Sequence, residues 1–436
     1  MGILNFTKWI KENYIEAYML LSTKPIILCD NLYIDLNYLL HKILYQCSDI
    51  KQLTEKCSES ITYLCKKIVP IKNLYLCADG CAPLAKLLTQ KSRRINITDK
   101  SEISLNLTPG CIFMDDLENN LKYCIDIIKL VFNINVIVDI KNPGEAEIKI
   151  KHYMLSNCND SNHVLYTNDA DIILISSCST FYNNIYIFHY DNIDSNTKKE
   201  YLLSIGKILE LHFNKILNIN IHNIVNHRFN LDFTLLNMLY GNDYLTKIKL
   251  VNILNNDLWK AYASCYDNRE YLINSNLTIN FNKLVDILLV LVGSFTKNNI
   301  AKLDLTSYNE YAYNNWIYGL NWCFNMYYIG DCIKYDYIYD FFGLSINPIL
   351  LNSHLYKITI DLTINKVLPI SNHLCGILLI PYSHKNLINN TYHHFIELYY
   401  KIIYTQLNSN NISTLIRNFT IYETSIHNTN SIELSC

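Results

Sequence analysis

With 436 residues, half of them hydrophobic, the chain is long enough to bury a large core and reads as two closely packed lobes rather than a string of modules. A formal net charge of −2 argues against a protein that coats nucleic acid through a broad excess of Lys and Arg, so any nucleic-acid contact has to be local. The 15 cysteines are odd in number and form no Cys-x-x-Cys pair, which argues against a zinc ribbon or a disulfide framework and fits a reducing, cytoplasmic setting.

Enrichment in Tyr, Ile and Asn runs through helical and loop segments alike and reads as the codon bias of a viral or AT-rich genome. The longest apolar stretch, residues 284–292, is too short to span a bilayer and reads as a core helix. Nothing at the N-terminus resembles a signal peptide, and Phe6 breaks a myristoylation pattern, so no membrane partner is expected.

In chain order, periodicity predicts a helix over residues 4–14, a strand over 26–36, helices over 39–45 and 54–69, a strand over 73–78 and a helix over 83–91. A long helix over 111–131, a strand over 135–139, a helix over 144–155 and a strand over 164–166 follow. This alternation is the signature of an α/β domain on a mainly parallel sheet flanked by helices, assigned to residues 1–250. Residues 251–436 read as a mostly helical C-terminal lobe packed on it, with a polar, weakly periodic and loosely packed tail from Leu407.

Open parallel sheets carry their ligand sites outside the carboxyl ends of the strands. Acids recur there: Asp35 closes the first predicted strand, Asp79 follows the second, Glu145 and Glu147 open the helix after the third, and Asp169 and Asp171 follow the fourth. Asp243 lies in a glycine-led turn after the apolar run 233–240. Any one of these acids alone is more often a helix cap or a solvated charge. Seven in one crevice would repel and raise one another's pKa values unless cations neutralise them, and oxygen-only ligands suit Mg²⁺ or Mn²⁺. Two ions about 4 Å apart would serve phosphodiester hydrolysis. Glu145 and Glu147 can share such a site only from an irregular helix start, which Pro143-Gly144 supplies.

On the helix after Asp79, Lys86, Gln90, Arg93 and Arg94 share a face, an anion pocket better suited to a terminal phosphate than to a base. His41 lies one turn after Asn37 and could face the same crevice to stack on a base.

Laid out in order, these residues closely resemble the Xrn family of 5′-to-3′ exoribonucleases. The resemblance starts with Met1-Gly2-Ile3-Leu4-Asn5-Phe6-Thr7-Lys8-Trp9-Ile10 and continues through Asn31-Leu32-Tyr33-Ile34-Asp35-Leu36-Asn37 to His41. It recurs in the Asp79 to Arg94 block, Thr108-Pro109-Gly110 with Phe113-Met114, Asn142-Pro143-Gly144-Glu145-Ala146-Glu147, Asn168-Asp169-Ala170-Asp171 and Gly241-Asn242-Asp243. Weaker matches lie at Gly319-Leu320-Asn321-Trp322 with Tyr327-Tyr328, and at Leu378-Leu379-Ile380-Pro381-Tyr382-Ser383.

The resemblance implies a 5′ nuclease or PIN-like core in which Asp35, Asp79, Glu145, Glu147, Asp169, Asp171 and Asp243 hold two Mg²⁺ or Mn²⁺ ions. It further implies that Lys86, Gln90, Arg93 and Arg94 bind the 5′-monophosphate of uncapped single-stranded RNA, with Asn37 and His41 at the terminal nucleotide and His41 stacking on its base. The chain departs from the family after Gly330, where a stacking Trp is missing and Tyr335 or Tyr337 is the expected substitute. It resembles a minimal catalytic core. Two rivals remain: a DNA-directed flap endonuclease, whose glycine-containing helical hairpin has no counterpart in residues 245–255, and a catalytically silent RNA-binding scaffold.

Overall fold

The central strand β2 (Ile27–Asp35) carries Leu32, Tyr33 and Ile34, all fully buried, and a strand apolar on both faces needs cover on both. The computed structural model supplies it; the model describes every residue except 1, 22–25, 96–98, 158–160, 195–196, 219–226, 268–269, 307, 340–344, 357–360, 406–408 and 434–436. β2 pairs in parallel with β3 (Ile68–Cys77) on one side and β5 (His163–Tyr166) on the other. Outward from these, β4 (Asn135–Asp139) joins β3 and β6 (Ile185–Asp194) joins β5, both in parallel. Antiparallel β7 (Thr197–Ser204) and β1 (Tyr18–Leu20) complete a seven-stranded sheet in the order β1-β7-β6-β5-β2-β3-β4.

The period of two along the strands divides the core. Leu32, Ile34, Leu74, Leu76 and Val164 face one layer, where they meet α2 (Leu36–Leu44), α3 (Ile50–Lys67) and α5 (Ile112–Phe132). Tyr33, Tyr75, Cys77 and Leu165 face the other, against α1 (Phe6–Asn13), α6 (Ala146–Ser156), α7 (Asp171–Ser177), α8 (Ile205–Leu217) and α9 (His227–Met238). The same apolar cluster continues without a break into Trp259, Trp316, Trp322 and Leu351.

Those residues belong to α10 (Asp257–Cys265), α13 (Glu310–Ile329) and α14 (Pro348–Leu355); α11 (Phe281–Gly293) and the one-turn α12 (Lys297–Ile300) lie between. A third cluster joins Leu84 and Leu87 of α4 (Leu84–Ile95) to Leu374, Cys375 and Leu378 of α15 (Asn372–Leu379). It extends through α16 (His393–Leu398) and α17 (Tyr400–Thr405) to α18 (Ser409–Glu433).

The four expected strands and the six expected helices of the α/β region are present with small shifts of their ends. Three strands escaped the pattern because β1 is short and β6 and β7 are rich in polar and charged residues. The tail corrects the expectation of loose packing. Residues 409–433 form α18, whose buried Ile412, Leu415 and Phe419 recur at helical spacing amid Asn, Ser and Thr. Among the described residues no helix is long and apolar enough to cross a membrane, and every described cysteine is a free thiol.

Candidate active site

Parallel pairing brings the ends of β2, β3 and β5 to one end of the sheet, where hydrogen bonds hold Asp35, Asp79 and Asp169 and ion pairs hold Glu145, Glu147 and Asp243. Asp35 ends β2 and caps α2, accepting from Tyr38 N–H at 2.9 Å and from the Thr167 hydroxyl at 2.9 Å. Asp79 follows β3; its N–H donates to Asn37 Oδ1 at 2.8 Å and its Oδ1 accepts from Ala146 N–H at 2.9 Å. Asp79 therefore ties three elements together at the start of α6.

Glu145 has extended backbone angles (φ −79°, ψ 153°) and stands just outside α6, after Gly144 at φ +97°. A left-handed residue there favours glycine. This non-helical start is how Glu145 and Glu147 reach the same place, since both approach the Lys86 ammonium, Glu147 at 3.9 Å and Glu145 in direct contact. Asp169 accepts from Asp171 N–H at 2.8 Å, which sets the first residue of α7. Asp243 arrives after α9 through the turn at Gly241 (φ +86°), 3.5 Å from Lys86 Nζ and 3.3 Å from Arg93.

All seven acids thus share one electrostatic neighbourhood. Asp35, Glu145, Glu147, Asp171 and Asp243 are buried, while Asp79 and Asp169 are half-buried. Burial first, then the charges of Asp79 and Asp169, pushes Asp35 up to about 7. Burial first, then Asp169, does the same to Asp171. Glu147 is raised well above the usual carboxylate range, chiefly by burial and by Asp169, Asp79 and Asp35. Asp243 is lowered: burial pushes it up, but the positive charges around it, Lys86 first, outweigh that.

The donor set suits hard divalent cations. It consists of oxygens only, it outnumbers the cations that touch it, and among the described residues Glu145 Oε2 and Asp171 Oδ1 are buried without a hydrogen-bond partner. Among the described residues, no three acids stand in an arrangement that would already hold a metal ion. The Lys86 ammonium instead reaches between Glu145, Glu147 and Asp243.

The basic residues divide. Lys86 is buried among the acids rather than on an open phosphate-facing surface, because the third cluster holds α4 by its apolar face and turns Lys86 inward. Gln90 and Arg94 are half-buried, Arg94 donating to the Thr108 hydroxyl at 3.1 Å, while Arg93 is exposed at the mouth. His41 is exposed at the rim, near enough to Asp79 and Arg94 to feel both charges. Asn37 is buried and its oxygen is committed to the Asp79 amide, which makes it a positioning residue in this structure.

Neither expected substitute for the stacking Trp presents a face to the site. Tyr337 packs in the core against Trp322 (ring centroids 4.6 Å) and donates to Asn315 O at 3.1 Å. Tyr335 is also buried, beside Gly144 in the wall of a cavity of about 320 Å³ shared with Asp139, Lys149 and Asp331. Three contributors escaped the sequence reading: Thr167, Gly2 against Asp171, and Tyr327 of α13, buried beside Asp171, Asp169 and Glu147. Gly2 and Tyr327 had a signal, Gly2 in the family match that opens at Met1 and Tyr327 in the weaker match around Trp322; Thr167 had none.

Residues 245–255 form turns, an isolated bridge from Ile248 to Ile346 and a one-turn helix Ile253–Asn255, with no helical hairpin.

Acids crowded at the carboxyl ends of a mainly parallel sheet, beside a basic helix, mark the ligand site of an α/β protein. A family model described as "XRN 5′-3′ exonuclease N-terminus" matches residues 1–106 and 98–191, so the N-terminal part of the chain is similar to that family.

The 5′-3′ exoribonuclease 1 of Schizosaccharomyces pombe is 28% identical over 362 residues, 69% of this chain and 27% of that protein. Its Saccharomyces cerevisiae namesake is 26% identical over 374 residues, 70% of this chain and 23% of that one. A putative 5′-3′ exonuclease R528 of Acanthamoeba polyphaga mimivirus is 28% identical over 184 residues, 38% of this chain and 29% of its own. The chain spans about a quarter of the length of the curated relatives it matches. Among solved structures, the catalytic core of Rad2 in complex with DNA substrate aligns over 86% of this chain and 91% of its own at 14% identity and a TM-score of 0.39, too low a likeness to bear on function.

Proposed function

We propose that this protein is a metal-dependent 5′-to-3′ exoribonuclease that hydrolyses uncapped or decapped, 5′-monophosphorylated single-stranded RNA in cytoplasmic RNA decay. The observation that carries the reading is the convergence of seven acids, two of whose buried oxygens lack a partner among the described residues, beside the basic face of α4. The relatives named as 5′-3′ exoribonucleases support the choice of RNA and of direction. Residues 1–250 would carry the acids and the phosphate pocket, and residues 251–436 would form a second region braced on them.

Asp35, Asp79, Glu145, Glu147, Asp169, Asp171 and Asp243 would hold two Mg²⁺ or Mn²⁺ ions. When bound, such ions supply an activated water and charge stabilisation at the leaving oxygen. The chain's own residues do the selecting. Arg93, Arg94 and Gln90, with Lys86 at the inner end, offer donors to a terminal phosphate, and a guanidinium fork matches its oxygens. His41, exposed at the rim, would stack on the terminal base. Asn37, Thr167 and Tyr327 orient the acids.

The test is one RNA labelled at its 3′ end and carrying a 5′-monophosphate, a 5′-hydroxyl, a triphosphate or a cap, beside matched DNA and a branched flap, all with Mg²⁺. Loss of the monophosphorylated RNA alone, with release of mononucleotides, is the expected outcome. Cleavage of the flap would move the reading to a DNA-directed nuclease, and binding without turnover to a silent scaffold.

A further inference from the structure

We propose that Gly2 is a positioning residue for Asp171: its missing side chain leaves the space in which the Asp171 carboxylate sits at the acid cluster. The inference rests on the nuclease reading above.

A Cβ built on Gly2 would stand 2.2 Å from Asp171 Oδ1, 2.9 Å from its Cγ and 3.3 Å from Oδ2. All three belong to one carboxylate, so a side chain at position 2 meets that carboxylate before anything else. Backbone conformation does not explain the glycine: Gly144 and Gly241 have positive φ, and Gly2 does not. The requirement is space.

Neither partner retreats easily. Ile3, Phe6, Trp9 and Ile10 are buried, and Trp9 Nε1 donates to Asn256 Oδ1 at 2.6 Å, so the segment that carries Gly2 is pinned to the core. On the other side, Asp171 N–H is held by Asp169 at 2.8 Å, the residue is 3% exposed, and Tyr327 packs beside it. A methyl group at position 2 would therefore be accommodated by rotating the Asp171 carboxylate, a local change at the end of one side chain. That rotation re-aims Oδ1, one of the two oxygens of the acid cluster that are buried without a hydrogen-bond partner among the described residues. Changes that re-aim a metal-binding carboxylate typically cost 10–100-fold in metal affinity or activity.

The experiment is a cycle of Gly2→Ala, Asp171→Ala and the double variant, read by calorimetric Mn²⁺ binding without RNA, by thermal melting, and by turnover of monophosphorylated RNA. Gly2→Ala is expected to melt like the parent, to bind Mn²⁺ about 10–100-fold more weakly and to lose kcat rather than gain KM. In the Asp171→Ala background, the same substitution is expected to change Mn²⁺ binding no further. Parental Mn²⁺ affinity in Gly2→Ala, an equal further loss in the double variant, or a large fall in melting temperature would each overturn the proposal. A parent protein that binds no Mn²⁺ would instead end the nuclease reading itself.

Discussion

Asp171 and Asp232 are both pushed up to about 7, in both cases chiefly by burial, yet they keep opposite company. Asp232, on α9, has its oxygens fully engaged: it accepts from Leu272 N–H, Ile273 N–H and the Tyr262 hydroxyl at 2.9, 2.9 and 2.8 Å. Asp171 stands among Asp169, Lys86 and Asp243, with Oδ1 lacking a hydrogen-bond partner among the described residues. A raised pKa therefore marks burial in both places. What separates a site from a brace is the unmet oxygen and the like-charged neighbours.

The comparison is sharpened by substituting on both sides of it. Asp169→Ala removes a like charge from the cluster, so turnover is expected to fall on the order of 10²- to 10³-fold with little change in melting temperature. Asp232→Ala should do the reverse. It strands two buried N–H groups and a buried hydroxyl and is expected to cost about 3 kcal/mol of stability by denaturant titration, with turnover per folded molecule unchanged. If both variants lost stability alone, the acid cluster would be a brace too.

Arg93→Ala removes an exposed cation from the mouth of the site. Competition between phosphorylated and hydroxylated ends is expected to show about a tenfold loss of preference, and an undiminished preference would remove Arg93 from the pocket.

The smallest effect belongs to His373 of α15, which bridges Asp115 (3.4 Å) and Glu423 (3.2 Å) and is raised from 6.5 to about 9 by those two carboxylates. Its charged form is favoured in the fold, so its contribution is complete below pH 6.5 and is lost as pH rises through about 9. His373→Gln should melt about 1–2 °C below the parent at pH 6, and the gap should narrow by pH 9.5. A gap that does not change with pH would assign the loss to packing.

The parallel centre was legible because β2, β3 and β5 are buried on both faces and read as continuous apolar runs with an acid at or just after each end. The antiparallel edge was not, since Lys198, Lys199 and Glu200 in β7 hide the period. Helical spacing put Lys86 on the same face as Gln90 and Arg93, but which neighbour that face meets is decided by packing against α15. The three missed contributors fail for one reason: Gly2 lies far in sequence from Asp171, Thr167 from Asp35, and Tyr327 from Glu147. Periodicity carries no information about such pairs. In α18, three apolar residues at helical spacing were outnumbered by polar ones.

The most direct measurement is mononucleotide release from uniformly labelled 5′-monophosphorylated RNA as Mg²⁺ is added, chelated and restored. Release that saturates with Mg²⁺, stops with chelator and returns on re-addition is the predicted result. RNA that stays bound and intact at every Mg²⁺ concentration would contradict it.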